Sequence, residues 1–280
     1  MTTSARQLWL CATDELVLAV RSRWLQTFAA VFAVLVLLVA ASGYVLSGGR
    51  GVQEFSRTAT SLIELVLLII PLTAITCGVT QLTPDRGAAE LLFAQPVARG
   101  AVLLGRVLGL CLALVGAQMI GFGAGGLVVF WQAGSFGVGG FVGVLASACL
   151  LTAVFLSLAA WISAGTTSHR RARNLAVALV VWFASVVLFD AAALGVASTL
   201  RSGDASRLLI LAVFVNPVDA VRTGALLAVS GTTAFGAASL AFFRFTGGPG
   251  AASAILLVSL FTWIAVPLAL AVRRLRKSDI

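Results

Sequence analysis

Between Val107 and Ser168 the chain carries no charged residue. No water-soluble domain tolerates such a run, because a globule must clothe its surface in polar groups and roughly a quarter of its residues are ordinarily charged. A bilayer core about 30 Å thick takes roughly 20 apolar residues per helix. The uncharged run therefore has the length of a helical hairpin, Val107 to Trp131 and Gly139 to Ala164, with a tight outer turn near Gln132 to Gly137. Four more stretches are comparably long and apolar: about Trp24 to Leu46, Ala59 to Leu82, Leu175 to Thr199 and Ala251 to Val272. Only Glu64 and Asp190 place a charge inside any of them. The expected fold is an all-α polytopic membrane protein of six transmembrane helices, with 1–280 forming one membrane domain. A hydrophobic content of 60% with 10% charged residues agrees.

Lys and Arg resist translocation, so their distribution orients the bundle. One side collects Arg6, Arg21, Arg23, Arg86, Arg99, Arg106, Arg170, Arg171, Arg173, Arg273, Arg274, Arg276 and Lys277, which is 13 of 19 basic residues, and both termini are expected in the cytoplasm. Residues 1–23 are too charged for a cleavable signal or a span. Leu8, Ala12, Leu16 and Ala19 recur there at helical spacing opposite Arg6, Asp14 and Arg21, which predicts an interfacial helix leading into the first span. The outer segment 200–250 is less regular. Asn216 as N-cap, Pro217 at N1 and Asp219 at N3 predict a helix that starts there and stops near Gly231. Neither apolar arm, Leu208 to Val215 or Ala220 to Val229, is long enough to cross at 1.5 Å per residue, which favours re-entrant helices between spans five and six. A kinked seventh span from Leu208 to Val229 is the competing reading.

Several chemistries are excluded. A P-loop needs a lysine behind a glycine-rich turn, and the only lysine is Lys277. The only histidine, His169, sits in an arginine cluster, which rules out His-pair metal sites and a Ser/His dyad. Gly121, Gly123 and Gly126 have dinucleotide-fingerprint spacing but lie within a span with no strand before them. Gly105 with Gly109, Gly121 with Gly125, and Gly139 with Gly143 instead suit close helix packing. Cys11, Cys77, Cys111 and Cys149 have no metal or redox spacing. The formal charge of +9 falls in short clusters beside the spans, as expected at an anionic bilayer surface and not along a nucleic-acid-binding face. No catalytic, metal or cofactor site is expected in this chain.

The first cytoplasmic loop, 83–106, is more specific. Thr83 as N-cap, Pro84 at N1 and Asp85 at N2 open a short helix that Gln95-Pro96 ends. Leu91, Leu92 and Phe93 form an apolar cluster that must lie on the membrane or in a partner's groove. Here the chain resembles the permeases of the second ABC exporter type. Their interfacial helix is matched by Asp14-Glu15-Leu16 and Arg21-Ser22-Arg23-Trp24. Their loop is matched by Asp85-Arg86-Gly87, Glu90-Leu91-Leu92, Gln95-Pro96-Val97-Ala98-Arg99 and Leu103-Leu104-Gly105-Arg106, with Ala88-Ala89 for the usual Gly-Thr and Arg106 for Lys. The resemblance implies a coupling helix docked on a separate cytoplasmic ATPase that binds ATP and Mg, and a permease that works beside a second copy of itself in a bacterial or archaeal inner membrane.

Within that family, Trp182-Phe183, Leu188-Phe189-Asp190 and Asn216-Pro217-Val218-Asp219-Ala220-Val221-Arg222 resemble the branch serving nitrous-oxide-reductase maturation. That branch implies a periplasmic β-helical partner, contacted here by Asn216, Pro217, Asp219 and Arg222, and supply of sulfur or copper to the reductase's cluster. With two Met residues and no Cys or His on the expected outer side, sulfur export or mechanical transmission fits better than copper. Burying an ionised group in hydrocarbon costs at least about 2.5 kcal/mol, so Asp190 must face protein or a wet cavity. A structural hydrogen bond, a cavity lining and proton transfer all remain open for it, while Glu64 lies nearer the outer interface. Three functions are compatible: an export permease, an anchor relaying ATPase motion to a periplasmic protein, and an ion-coupled secondary transporter, the last disfavoured because no internal repeat with paired broken helices is visible.

Overall fold

The computed structural model describes residues 3–47, 51–83, 98–133, 138–166, 168–231 and 237–277. Among these every regular element is helical. In chain order they are α1 (Thr3–Arg21), α2 (Arg23–Ser47), α3 (Gly51–Leu82), α4 (Arg99–Ala133), α5 (Val138–Ser163), α6 (Arg171–Ser198), α7 (Ser202–Val215), α8 (Pro217–Ser230), α9 (Ala237–Thr246) and α10 (Pro249–Lys277). Six of them, α2 to α6 and α10, are long and apolar enough to cross a membrane.

A short break separates α1 from α2. Ser22 lies between them and its Oγ accepts the Leu25 N–H at 3.2 Å, capping α2. The face of α1 that carries Ala12, Glu15 and Ala19 is buried and packs along α4, while Trp9, Leu10, Val17 and Leu18 on the same helix are exposed. Glycine makes this approach possible: a Cβ at Gly105 would lie 2.6 Å from the Leu8 carbonyl oxygen, and one at Gly109 would run into that of Ala12. Farther along α4, Gly121 and Gly125 take Phe32 and Val36 of α2 in the same way. Gly143 on α5 meets Ala228 of α8, whereas Gly139 has open space around it and makes no such contact.

The core lies where α3, α4 and α5 cross, with Phe32, Ile70, Leu110, Phe122, Leu151 and Phe155 fully buried. A polar pair crosses it, Gln118 Nε2 donating to Thr152 Oγ1 at 2.6 Å. Pro267 inside α10 has no N–H for the carbonyl of Trp263, four residues back. Ser157 of α5 donates its hydroxyl to that oxygen at 2.9 Å, so the group is satisfied between helices.

α7 and α8 meet at a 99° bend. The elbow sits beside Ser185 of α6, which it contacts through Asn216. Ser185 lies about 20 Å from either end of α6 at 1.5 Å per residue, so the elbow reaches mid-span. From there α8 returns until Ala228 covers Gly143, near the start of α5. Both arms thus lie toward the side from which α3 and α5 begin, the geometry of a re-entrant pair. The carbonyls freed at the end of α7 have named partners on α10: Phe214 O accepts from Ser259 Oγ at 2.6 Å and Val215 O from Trp263 Nε1 at 3.0 Å. At the far end of α8, Gly231 has φ +60°, which only glycine adopts cheaply, and the helix stops there.

Candidate functional site

The elbow organises a cluster of charges inside the bundle. Asn216 N-caps α8, its Oδ1 accepting the Val218 N–H at 3.1 Å. Its amide Nδ2 donates to Ser185 O at 2.8 Å and to Asp219 Oδ2 at 3.0 Å. Ser185 belongs to a π-helical turn, Ala184–Leu188, in which the Phe189 N–H bonds Ala184 O, five residues back. The shift takes from Ser185 O its usual partner four residues on, and Asn216 replaces it. Two residues past that turn stands Asp190.

Arg222, one turn along α8 from Asp219, joins three carboxylates. Its Nη1 donates to Asp190 Oδ2 at 2.7 Å and to Asp219 Oδ1 at 3.0 Å, and its Nε lies 3.7 Å from Glu64 Oε1. Side-chain exposure is 11% for Asp219, 27% for Arg222, 32% for Asp190 and 60% for Glu64. One guanidinium thus ties α3, α6 and α8 together. With every carboxyl ionised the group would carry a formal excess of negative charge, and its arrangement depends on the three helices keeping their present spacing.

Glu64 and Asp190 on one hand, and Asn216, Pro217, Asp219 and Arg222 on the other, read in the sequence as two sites, one within the membrane and one outside it. The fold makes them one. Asn216, Pro217 and Asp219 are buried within this chain, and the side chains of Asn216 and Asp219 bond into the cluster. The available signal was the sign of Arg222, the basic residue nearest the apolar arm of α8, set against two unpaired acids in spans. Ser185 gave no signal, because a π turn has no sequence signature.

At the end of the bundle where α3 finishes, Arg106 performs a similar junction. Its Nε donates to Glu15 Oε2 at 2.8 Å and its Nη2 to Gln81 O at 2.5 Å, joining α1 and α4 to the last turn of α3. Glu15 is 6% exposed at its side chain. Arg171, at the start of α6, donates to Thr83 O at 3.0 Å. The terminal carbonyls of α3 are thus held by arginines. Thr83, expected to cap the following helix, is buried and donates its hydroxyl back to Val79 O at 2.7 Å. Arg99 opens α4. Pro84, Asp85, Arg86, Gly87, Glu90, Leu91, Leu92, Gln95 and Pro96 lie outside the described residues.

Residues 9–280 match the ABC-2 family transporter proteins. The chain belongs to that family. Two relatives span nearly its whole length: a probable ABC transporter permease protein NosY of Pseudomonas aeruginosa, 32% identical over 94% of this chain and 96% of the relative, and one of Stutzerimonas stutzeri, 31% identical over 95% and 96%. As an ABC-2 protein it is the multi-pass permease subunit of an ABC transporter. Its two polar junctions lie at different depths of the bundle, one beside the loop between α3 and α4 and the other at mid-span.

Proposed function

We propose that this permease couples ATP hydrolysis by a separate cytoplasmic ATPase to export of a substrate across the inner membrane, as a homodimer with both termini in the cytoplasm. The observation that favours coupling is the anchorage of the 83–98 loop. Arg106 and Arg171 hold the carbonyls of Gln81 and Thr83 at its start, and Arg106 itself stands on α4 just after its end. A loop fixed at both roots passes its displacement into α3 and α4 instead of absorbing it. ATP and Mg belong to the ATPase, which contacts Thr83 to Arg99.

Near-full-length similarity to two NosY permeases supports the nitrous-oxide-reductase branch, with a sulfur species for the reductase's cluster as cargo and a periplasmic β-helical protein as outer partner. A second reading keeps the ATPase but not the transport: the bundle relays motion to that outer protein. The tie between α6 and the bent pair α7–α8 through Asn216 and Arg222 favours such a route.

The test is co-purification of the permease with an ABC ATPase from its native host, followed by an ATPase assay. Asp85→Arg with Glu90→Arg should leave the permease in the membrane and weaken association about tenfold or more, since reversed charge at a docking face costs upward of about 1.4 kcal/mol. Undiminished association and permease-dependent hydrolysis in the double variant would remove the coupling assignment.

A further inference from the structure

A groove of about 560 Å³ runs between α5, α6 and α10, and none of the ion-paired side chains of the two junctions lines it. Its walls are apolar along Leu158, Ile162, Val177 and Val181. At one end stand Arg173, in the first turn of α6, and Arg274, in the last turn of α10, beside Trp161 near the end of α5. Ser185 and Trp263 mark the other end. From Arg173 to Ser185 is about 18 Å at 1.5 Å per residue, slightly more than one leaflet's share of a hydrocarbon core about 30 Å thick. The groove opens sideways to the bundle's exterior, where Trp161 and Val177 are exposed.

Charge selects the occupant. Val138–Ser163 of α5, Arg171–Phe183 of α6 and all of α10 contain no Asp or Glu; the one acid of α6, Asp190, lies beyond Ser185 and pairs with Arg222, and no described carboxylate pairs with Arg173 or Arg274. Arg274 makes only a long contact, 3.5 Å, to the Trp161 carbonyl. Two guanidinium groups at the mouth of an apolar slot one leaflet deep, with an indole at the level where aromatic rings favour the interface, match a molecule with an anionic phosphate head and a hydrocarbon tail. A free anion would leave the slot empty, and a zwitterionic lipid would bring its own ammonium group up against the two arginines, so a net anionic head is favoured.

We propose that this groove is a binding site for an anionic phospholipid of the leaflet on the side of both termini, its phosphate held by Arg173 and Arg274 and one acyl chain lying along Leu158, Val177 and Val181. Bound there, the lipid wedges α6 against α5 and α10.

Native mass spectrometry of the purified permease, titrated with phosphatidylglycerol or phosphatidylcholine, tests the site. Phosphatidylglycerol should add as a discrete adduct and phosphatidylcholine should not. Arg173→Gln with Arg274→Gln should weaken that adduct about thirtyfold, at the contribution typical of two basic residues near a membrane surface. Arg273→Gln with Arg276→Gln, which removes equal charge from the same end of α10 outside the groove, should leave it unchanged. Val181→Trp, which fills the slot and keeps both arginines, should also abolish the adduct. Equal binding of both lipids, or equal losses in the two arginine pairs, would reduce the effect to general surface charge and overturn the proposal. Displacement of the adduct by millimolar inorganic phosphate would assign the arginines to a free anion. A disulfide between two copies of a Val177→Cys variant would put a second copy over the groove. Either result overturns it.

Discussion

Arg222 is where the charge of the bundle is concentrated, because among the described residues it alone pairs with Glu64, Asp190 and Asp219 together. Removing it and removing one of its acids are therefore unequal perturbations. Arg222→Met leaves three carboxylates without their cation and should cost about 3 kcal/mol, the usual penalty for an uncompensated buried charge. Asp190→Asn keeps the shape and an acceptor, and Arg222 retains Asp219, so about 1 kcal/mol is expected. Thermal unfolding in detergent checks the ranking; equal losses, or a larger one for Asp190→Asn, would show that Arg222 is not the hub. The same Asn variant separates structural from working roles. If it assembles fully yet loses ATP-driven activity, the charge takes part in the cycle; if activity survives, Asp190 is a satisfied buried acid.

Helices in this bundle meet through small residues, and the contacts differ sharply from one glycine to the next. Gly109 carries the backbone of α1 against α4, with Ala12 and Glu15 directly above it, while Gly139 faces open space. Gly109→Val should wedge α1 away, stretch the Glu15–Arg106 pair and destabilise by about 1–3 kcal/mol, the range for overpacking. Gly139→Ala should stay within about 0.5 kcal/mol of wild type. A protease cutting near the α1–α2 break at Ser22 reads the difference, with faster cleavage expected only in the Gly109 variant. Equal cleavage of the two would mean that α1 is held by the ion pair and not by close packing. The spacing of Gly139 and Gly143 is the same as that of Gly105 and Gly109, so spacing alone does not tell a used pair from a half-used one.

For the whole molecule, the geometry of six crossings and one returning pair makes a topological statement. Reporter fusions at Arg171 and Lys277 should report the cytoplasm, and fusions at Gly48 and Gly231 the opposite side. A cytoplasmic signal at Gly231 would mean that α7 and α8 cross together, and would put the charge cluster at a different depth. The positive-inside asymmetry supplies the orientation, whereas the mid-span position of Asn216 beside Ser185 supplies the return.

What the amino-acid sequence determined by itself is everything that depends on local composition in a solvent without water. An uncharged run from Val107 to Ser168 has to satisfy its own backbone, so it must be helical, and its length fixes the number of crossings. Asn216-Pro217 and Gly231 likewise carry their stop and start signals in their own covalent structure, and α8 begins and ends where they stand. Only the tertiary structure decided which distant polar groups meet. Glu64, Asp190 and Asp219 are separated by up to 155 positions, and no local rule links them. They converge because each must find a partner within the bundle's own interior, and the bend of α7–α8 carries Arg222 to the one depth where it reaches all three.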